Sequence, residues 1–541
     1  METYEDRRKR FWWSEALARL DGEPEKGLNL GHELCDRHRG AGRPAIYWAR
    51  RDGTRLASTF DDLSQRSSQF ANLLGDLGVT KGDRVATLLP RSLELLIALL
   101  GTWKLGAVHV PLFTGFGPEA VRYRLEHSGA AVVVTTLTAR ATIPRVDRRL
   151  AVITVQDGPQ ANPGEVSFWA ALERHSAAVA PVLSRRDEPA VIIYSSGSTG
   201  PPKGIQLATN FVASIEPVFR YALDLRDGDC FWPTGDPSWG WGLVGWAAAL
   251  FRAVPFLAYE GLFSVEAYLS LLEEFRVTNW ATSPTVLRRI MASPGRLREQ
   301  ARSLRVINSC GEALNAEVVR WFSEALGVTP MDHYGSTECG IYICNFAGLR
   351  LHVKPGSMGR PIPGAEAAIV DERGVEVPAG EVGFIAYRPN EEGYYGLGYW
   401  RDAERTRELY RNGWVVVGDL GRMDADGYFW FEGRADDLIK SAGYRIGPYE
   451  VESALLEHPA VAEAAVVGKP DPLRGEIVKA FVVPRTGASP GEALAGALAE
   501  HVKGRLGAHA YPREVEFVEA LPLTETGKIQ RFKLRAVAQK E

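Results

Sequence analysis

Cysteine is scarce in this 541-residue chain. The five present, Cys35, Cys230, Cys310, Cys339 and Cys344, show no paired metal-ligand spacing and leave one over if read as disulfides. That argues against a disulfide scaffold and for a reducing cytoplasm. Charge of one sign is missing too: 63 basic against 67 acidic residues give no electrostatic footprint for nucleic acid or an anionic membrane. No apolar run reaches the length that spans a bilayer, and the N-terminal METYEDRRKRFWWSEALARL has charge but no apolar core after it. Neither a transmembrane helix nor a signal peptide is expected. Solenoid-type repeats and low-complexity segments are absent. What remains is bulk: a chain 45% hydrophobic and well beyond the size of one core predicts several domains and small-molecule partners.

Apolar residues recur at helical spacing from Phe60 to Leu77, and GVTKGDR then leads into the short apolar run VATLL. The alternation continues with LELLIALLGTWKLG as a helix, AVHVPL as a strand, PEAVRYRLEHSG as a helix opened by Pro118, and AVVVT as a strand. Such a pattern predicts parallel sheets covered by helices. AVIIY, ending at Tyr194, reads as a buried strand, so YSSGSTGPPKG (194–204) is the loop at its end, where ligands of α/β sheets bind. Near Gly433 the character changes. VAEAAVV, IVKAFVV and EVEFV alternate with two helices, one opened by Pro448 and one at GEALAGALAEHVKGRL, which predicts a small separate α+β domain. The expected division is 1–434 and 435–541.

The loop lacks the order G-x-x-x-x-G-K-[ST], since Lys203 follows Pro202 and precedes Gly204. Its chemistry still suits phosphate: Gly197, Gly200 and Gly204 let the backbone approach closely, Ser195, Ser196, Ser198 and Thr199 offer hydroxyls, and Lys203 adds charge. A solvent-exposed turn of the same composition is the alternative, and the loop alone does not decide. Further stretches follow in order: SCGEAL (309–314), DHYGSTECG (332–340), VVGDLGRMDADGYFWFEGRADDLIKSAGYRI (416–446) and PLTETGKIQR (522–531). With these motifs the chain resembles the adenylate-forming superfamily of acyl-CoA synthetases, nonribosomal adenylation domains and luciferases. FTGFGPEAVRYRL resembles its acetyl- and medium-chain acyl-CoA synthetase branch.

The resemblance implies a large N-terminal domain of helix-covered sheets and a small, mobile C-terminal domain. It also implies two half-reactions: a carboxylate attacks the α-phosphate of ATP to give acyl-AMP and pyrophosphate, then a thiol displaces AMP. Ser195, Ser198, Thr199 and Lys203 would contact the β- and γ-phosphates and Thr337 the α-phosphate, while Glu338 would hold Mg²⁺. Gly311, Glu312 and Ala313 would line the adenine, and Asp332 would accept from its amino group. Asp419 would take the ribose hydroxyls, assisted by Arg434. Lys528 would reach the carboxylate and the α-phosphate as their bond forms, and an acetyltransferase acting on it would control the enzyme. Asp436 would be the hinge. Gly443 would let pantetheine pass the backbone, with Arg445 and Arg124 toward coenzyme A. Taken singly, a Glu, Asp, Arg or Lys of this kind is an ordinary surface charge; the motif context carries each assignment.

Trp239, Gly240, Trp241, Cys310 and Gly335 would surround the acyl group. Acetate-specific relatives carry tryptophan where this chain has Gly335, so an acid longer than acetate is expected, although Trp241 could fill part of the room and core packing is the alternative reading of WGWGLVGW. No acidic residue lies between Pro237 and Tyr259 to pair with an α-ammonium, which argues against an amino-acid substrate. The chain ends 13 residues beyond Lys528, leaving no room for a fused carrier domain. The expected activity is an ATP-dependent acyl-CoA synthetase for a medium-chain, branched or aromatic monocarboxylic acid. An acyl-AMP ligase loading a separate carrier protein and a silent nucleotide-binding scaffold are the alternatives.

Overall fold

The structure, a computed structural model, describes the chain except residues 147–149, 157–161, 163, 196–200, 390–394, 443, 524–528 and 540–541, together with the side chain of Arg445. Among the described residues, three sheets build the large N-terminal part. The first has eight strands, with Pro189–Tyr194 beside Val108–Pro111, then Arg84–Leu88, Ala130–Thr136, Ala151–Val155 and Val166–Ser167 in parallel. Gly204–Ala208 and Gly396–Tyr399 extend it antiparallel on the other side. The second has nine strands, whose centre runs Phe231–Pro233, Asn279–Thr282, Val306–Cys310 and Pro330–Ser336 in parallel before Gly340–Cys344 reverses.

Helices cover these sheets as the apolar periodicity predicts. Phe60–Asp76 opens with a reciprocal capping box between Thr59 and Asp62, a device contributing about 1 kcal/mol, and buries Phe60, Leu63, Phe70, Leu73 and Leu74. Leu93–Lys104 is buried almost all round and packs against it between the layers. Pro118–Ser128 starts with Pro118 in its first turn and stops at Gly129, whose φ of 69° ends the helix.

The third sheet was not anticipated: Glu366–Val370, Val382–Arg388, Trp414–Met423, Tyr410–Arg411 and Phe429–Arg434 form an antiparallel unit. Beyond Arg434 lies the smaller α+β part. Its sheet joins Tyr444–Ile446, Ile439–Ser441, Gly475–Pro484, Val461–Asp471 and Glu514–Phe517, with Pro448–Leu456 and Glu492–Leu506 packed on one hydrophobic cluster. A further helix, Arg531–Ala538, also unanticipated, packs on the other side against Val467 and Phe481. Among the described residues no helix is long and apolar enough to cross a membrane, and no disulfide forms.

Candidate active site

A cavity of about 1040 Å³ opens where the sheets meet and the smaller part closes over them. The described ends of the glycine-rich loop, Ser195 after the strand Pro189–Tyr194 and Pro201 and Lys203 before the next, line it. These ends are pinned together: the Ser195 amide donates to the Lys203 carbonyl at 2.9 Å, and the Lys203 amide donates to Ser195 Oγ at 3.2 Å. Ser198 and Thr199 lie outside the described residues. Lys203 Nζ sits 5.0 Å from the ring centroid of Tyr399, whose hydroxyl donates to Glu338 Oε1 at 2.9 Å. Tyr399 therefore links Lys203, expected at the phosphates, to Glu338, the carboxylate expected to hold a metal. It was missed in the sequence because it sits on an edge strand outside every motif.

Strand alternation divides the next group. Asp332 is buried on the Pro330–Ser336 strand, and its Oδ1 has no partner among the described residues. Burial pushes its carboxyl well above the usual range, against the opposing effect of the Leu314 and His333 amides. An amino donor arriving from the cavity would relieve that cost. Gly311 and Ala313 line the same region. Glu312 lines the cavity as well, its carboxylate accepting from Thr285 Oγ1 at 2.8 Å and from Arg288 at 2.7 Å, both also on the cavity wall. Asp419 accepts from the Tyr334 hydroxyl at 2.7 Å on one oxygen and from Arg434 at 3.1 Å on the other. Arg434 also donates to Asp436 at 3.1 Å. Burial alone would lower the Arg434 pKa, but the Asp419 and Asp436 carboxylates outweigh it and hold the charge in place.

Trp239, Gly240, Trp241, Cys310, Gly335, Thr337 and Glu338 all line the cavity. One expectation needs correcting. The hydrogen of Gly335 does not face a hole the size of an indole: a Cβ there would overlap the Gly340 carbonyl oxygen and lie 2.7 Å from Ile341 Cα. A β-bulge between Tyr334 and Gly335 brings the neighbouring strand this close. The room in the pocket belongs to its other walls. Asp236 and Glu260, just outside the acid-free stretch, also line the cavity; Asp236 caps the Ser238 amide at 2.9 Å, and Glu260 lies 3.7 Å from Arg50.

Arg124 is a second correction. It is 4% exposed, its guanidinium lies 4.0 Å from the Phe116 ring centroid, and burial lowers its pKa to about 10. A residue so enclosed does not reach out to a nucleotide; Arg122, the other arginine of RYR, faces outward beside Glu119 at 3.4 Å. Helical phase held the signal, since Val121 and Leu125 mark the buried face that Arg124 shares.

The smaller part supplies Tyr449, Glu452, Ala464, Ile529 and Arg531 to the cavity wall. It is docked by Arg289 Nε to Glu463 at 3.2 Å, by Asn315 Nδ2 to Ser453 Oγ at 2.9 Å, and by the Phe431 and Tyr449 rings at 6.0 Å. Lys528 and Gly443 lie outside the described residues, as does the Arg445 side chain. The residues flanking 524–528 are described: Leu523 and Ile529 bridge to each other and both line the cavity.

The described ends of the glycine-rich loop, a carboxylate–arginine pair and a tryptophan-lined recess share one cavity, an arrangement suited to a nucleotide-dependent activating enzyme. Comparison with known proteins agrees. Residues 35–400 match the AMP-binding enzyme family and residues 450–528 the AMP-binding enzyme C-terminal domain. The acetyl-coenzyme A synthetase of Bacillus subtilis (strain 168) is 38% identical, over 99% of this chain and 95% of that protein. A Brucella canis acyl-CoA synthetase structure is 41% identical with a TM-score of 0.79, covering 99% of both chains. The anthranilate CoA ligase AuaEII, solved with anthranoyl-AMP, is 32% identical with a TM-score of 0.86, covering 95% of this chain and 97% of that one. This chain belongs to the adenylate-forming AMP-binding enzymes, in their acyl-CoA synthetase branch. It is an acid–thiol ligase by class, with acyl-activating, adenylate-forming chemistry.

Proposed function

We propose that the enzyme joins a medium-chain, branched or aromatic monocarboxylic acid to coenzyme A in two ATP-driven half-reactions. The observation carrying this reading is the single cavity in which the ends of the phosphate loop, Asp332, the Asp419–Arg434 pair and the tryptophan-lined pocket meet. In the first half-reaction a carboxylate oxygen attacks the α-phosphorus, the α–β bond breaks, and pyrophosphate leaves. Lys203 with Ser195, Ser198 and Thr199 would hold the departing phosphates, and Thr337 the α-phosphate. Gly311, the Glu312 backbone and Ala313 would border the adenine, whose amino group would donate to Asp332. Asp419 would accept from the ribose hydroxyls while Arg434 fixes its orientation.

Glu338 would hold Mg²⁺. A lone carboxylate fits this ion, which takes one or two carboxylates and completes its shell with water and substrate phosphates; among the described residues no cluster of three or more acidic, His or Cys side chains competes for it. Bound there, the ion would neutralise phosphate charge.

Lys528 would stand between the two anions that must approach each other. At about 4 Å and an effective dielectric near 20, such a contact is worth about 4 kcal/mol before desolvation costs. Acetylation of Lys528 would remove that charge and with it the first half-reaction. In the second half-reaction the C-terminal domain, residues 435–541, would turn about Asp436, withdraw Lys528 and present Gly443 and Arg445 to coenzyme A. The thiol would give up its proton, bond to the acyl carbon and displace AMP.

Similar proteins are named for acyl groups as different as acetyl and anthranoyl, which supports testing a broad panel of acids. The test uses purified enzyme with acids from C2 to C12, benzoate and branched acids, reading pyrophosphate and AMP release with and without CoA. Acid-dependent pyrophosphate and CoA-dependent AMP are expected. Thioester formed only on a carrier protein would reject the acceptor.

A further inference from the structure

A line of buried amides ends at the acyl pocket and fixes the protonation of one of its wall residues. The Asn279 amide nitrogen donates to the Leu223 carbonyl at 2.7 Å, and a carbonyl can only accept. The Asn279 oxygen is therefore turned to Asn308, whose nitrogen donates to it at 2.9 Å. The Asn308 oxygen in turn faces His333 Nε2 at 2.8 Å, so Nε2 must carry the hydrogen. His333 Nδ1 is left as a bare lone pair, directed away from Asn308. It has no partner among the described residues.

Asn279, Asn308 and His333 are all at most 2% exposed. Burial pushes the imidazole down to about 3, which keeps the ring neutral. The register pairs His333 with Cys310, which puts both on one face of the sheet. Both line the cavity, with the Trp241 ring centroid 6.1 Å from that of His333. Asp332, one residue earlier on the strand, lies on the opposite face, the side proposed above for the nucleotide.

We infer that His333 determines specificity by offering Nδ1 as an acceptor in the acyl pocket, and that the preferred acid carries an O–H or N–H donor on its acyl group, as hydroxy- and amino-substituted acids do. The inference rests on the functional reading above. It deepens that reading, because tryptophan walls alone would favour any apolar acid of the right size. A site built around a substrate donor rejects the analogue that lacks it more strongly than an apolar pocket rejects a change of size.

The test reads ATP–pyrophosphate exchange, which needs only the first half-reaction and is independent of the acceptor. Benzoate is compared with its monohydroxy and monoamino isomers, and butyrate and hexanoate with their 3-hydroxy counterparts. At least one donor-bearing acid is expected to exceed its parent tenfold or more in kcat/KM. His333→Phe should bring that ratio toward one, and His333→Gln, whose amide oxygen can accept, should retain part of it. Exchange that proceeds with no preference for a donor in any pair overturns the inference while leaving the activity intact; so does a preference that survives His333→Phe. If His333→Phe does not fold, the wild-type ranking and His333→Gln still decide. Absence of exchange with every acid overturns the functional reading and this inference with it.

Discussion

Gly335 and Gly240 stand on the wall of one cavity, yet a methyl group added to each meets opposite surroundings. At Gly335 the new Cβ would overlap the Gly340 carbonyl oxygen and press on Ile341 Cα at 2.7 Å, both backbone atoms that move only if the strand moves. At Gly240 the nearest atom is Thr337 Oγ1 at 3.5 Å, ordinary van der Waals contact. Overpacking into rigid surroundings costs about 1–3 kcal/mol. Gly335→Ala belongs at the upper end, because the bulge cannot relax without disturbing the Tyr334 hydrogen bond to Asp419. Gly240→Ala should stay within about 0.5 kcal/mol. Its effect should appear in acid preference, by removing room beside Trp241. The assay is the melting temperature of both variants beside wild type, followed by the chain-length profile of pyrophosphate release. A Gly335→Ala protein as stable as wild type, or less damaged than Gly240→Ala, refutes this account of the pocket wall.

Buried His109 and His333 are both held neutral, their pKa values pushed down to about 3 by desolvation. Because the unfolded chain binds these protons near pH 6.5, stability should be full above that pH and fall below it by about 1.4 kcal/mol per pH unit for each histidine. His109→Gln should remove one such slope from urea-unfolding measurements between pH 7 and 5, and an unchanged slope would contradict the assignment. Arg289→Ala breaks a partly exposed link between the two parts, worth about 0.5–1 kcal/mol, so adenylation should fall about two- to fivefold relative to thioester formation from supplied acyl-AMP. Equal loss in both steps would mean that the pair does not favour the docked arrangement. Lys528→Ala should abolish adenylation yet still convert supplied acyl-AMP and CoA to thioester; loss of both steps would show that the lysine serves each or that the fold is damaged.

The helix-and-strand alternation from Phe60 to Tyr194 was legible because each element keeps its own period, and caps such as Thr59 and Pro118 mark where helices begin. The antiparallel sheet from Glu366 to Arg434 was not. Gly383, Gly421 and Gly433 interrupt its apolar runs, and its strands turn on tertiary neighbours rather than on pattern. The motifs did point to residues that gather in one cavity, since Ser195, Cys310, Thr337 and Asp419 lie at strand ends or on strands facing it. What motif reading could not give was orientation. It set Arg124 toward coenzyme A although helical phase buries it, gave no direction to the Glu312 carboxylate, which pairs with Arg288, and took Gly335 for empty space. The relay through Asn279, Asn308 and His333 joins three strands and is visible only once they are laid side by side.

The central claim, that this cavity activates its acid by bonding a carboxylate oxygen to the α-phosphorus of ATP, is tested most directly by isotope transfer. An acid labelled with ¹⁸O in its carboxylate is turned over with ATP and CoA, and the AMP and pyrophosphate are weighed by mass spectrometry. The account predicts one ¹⁸O in AMP and none in pyrophosphate, because the oxygen that attacks phosphorus leaves with AMP when the thiol takes the acyl group. Label appearing in pyrophosphate or inorganic phosphate, or unlabelled AMP accompanying thioester formation, would contradict it.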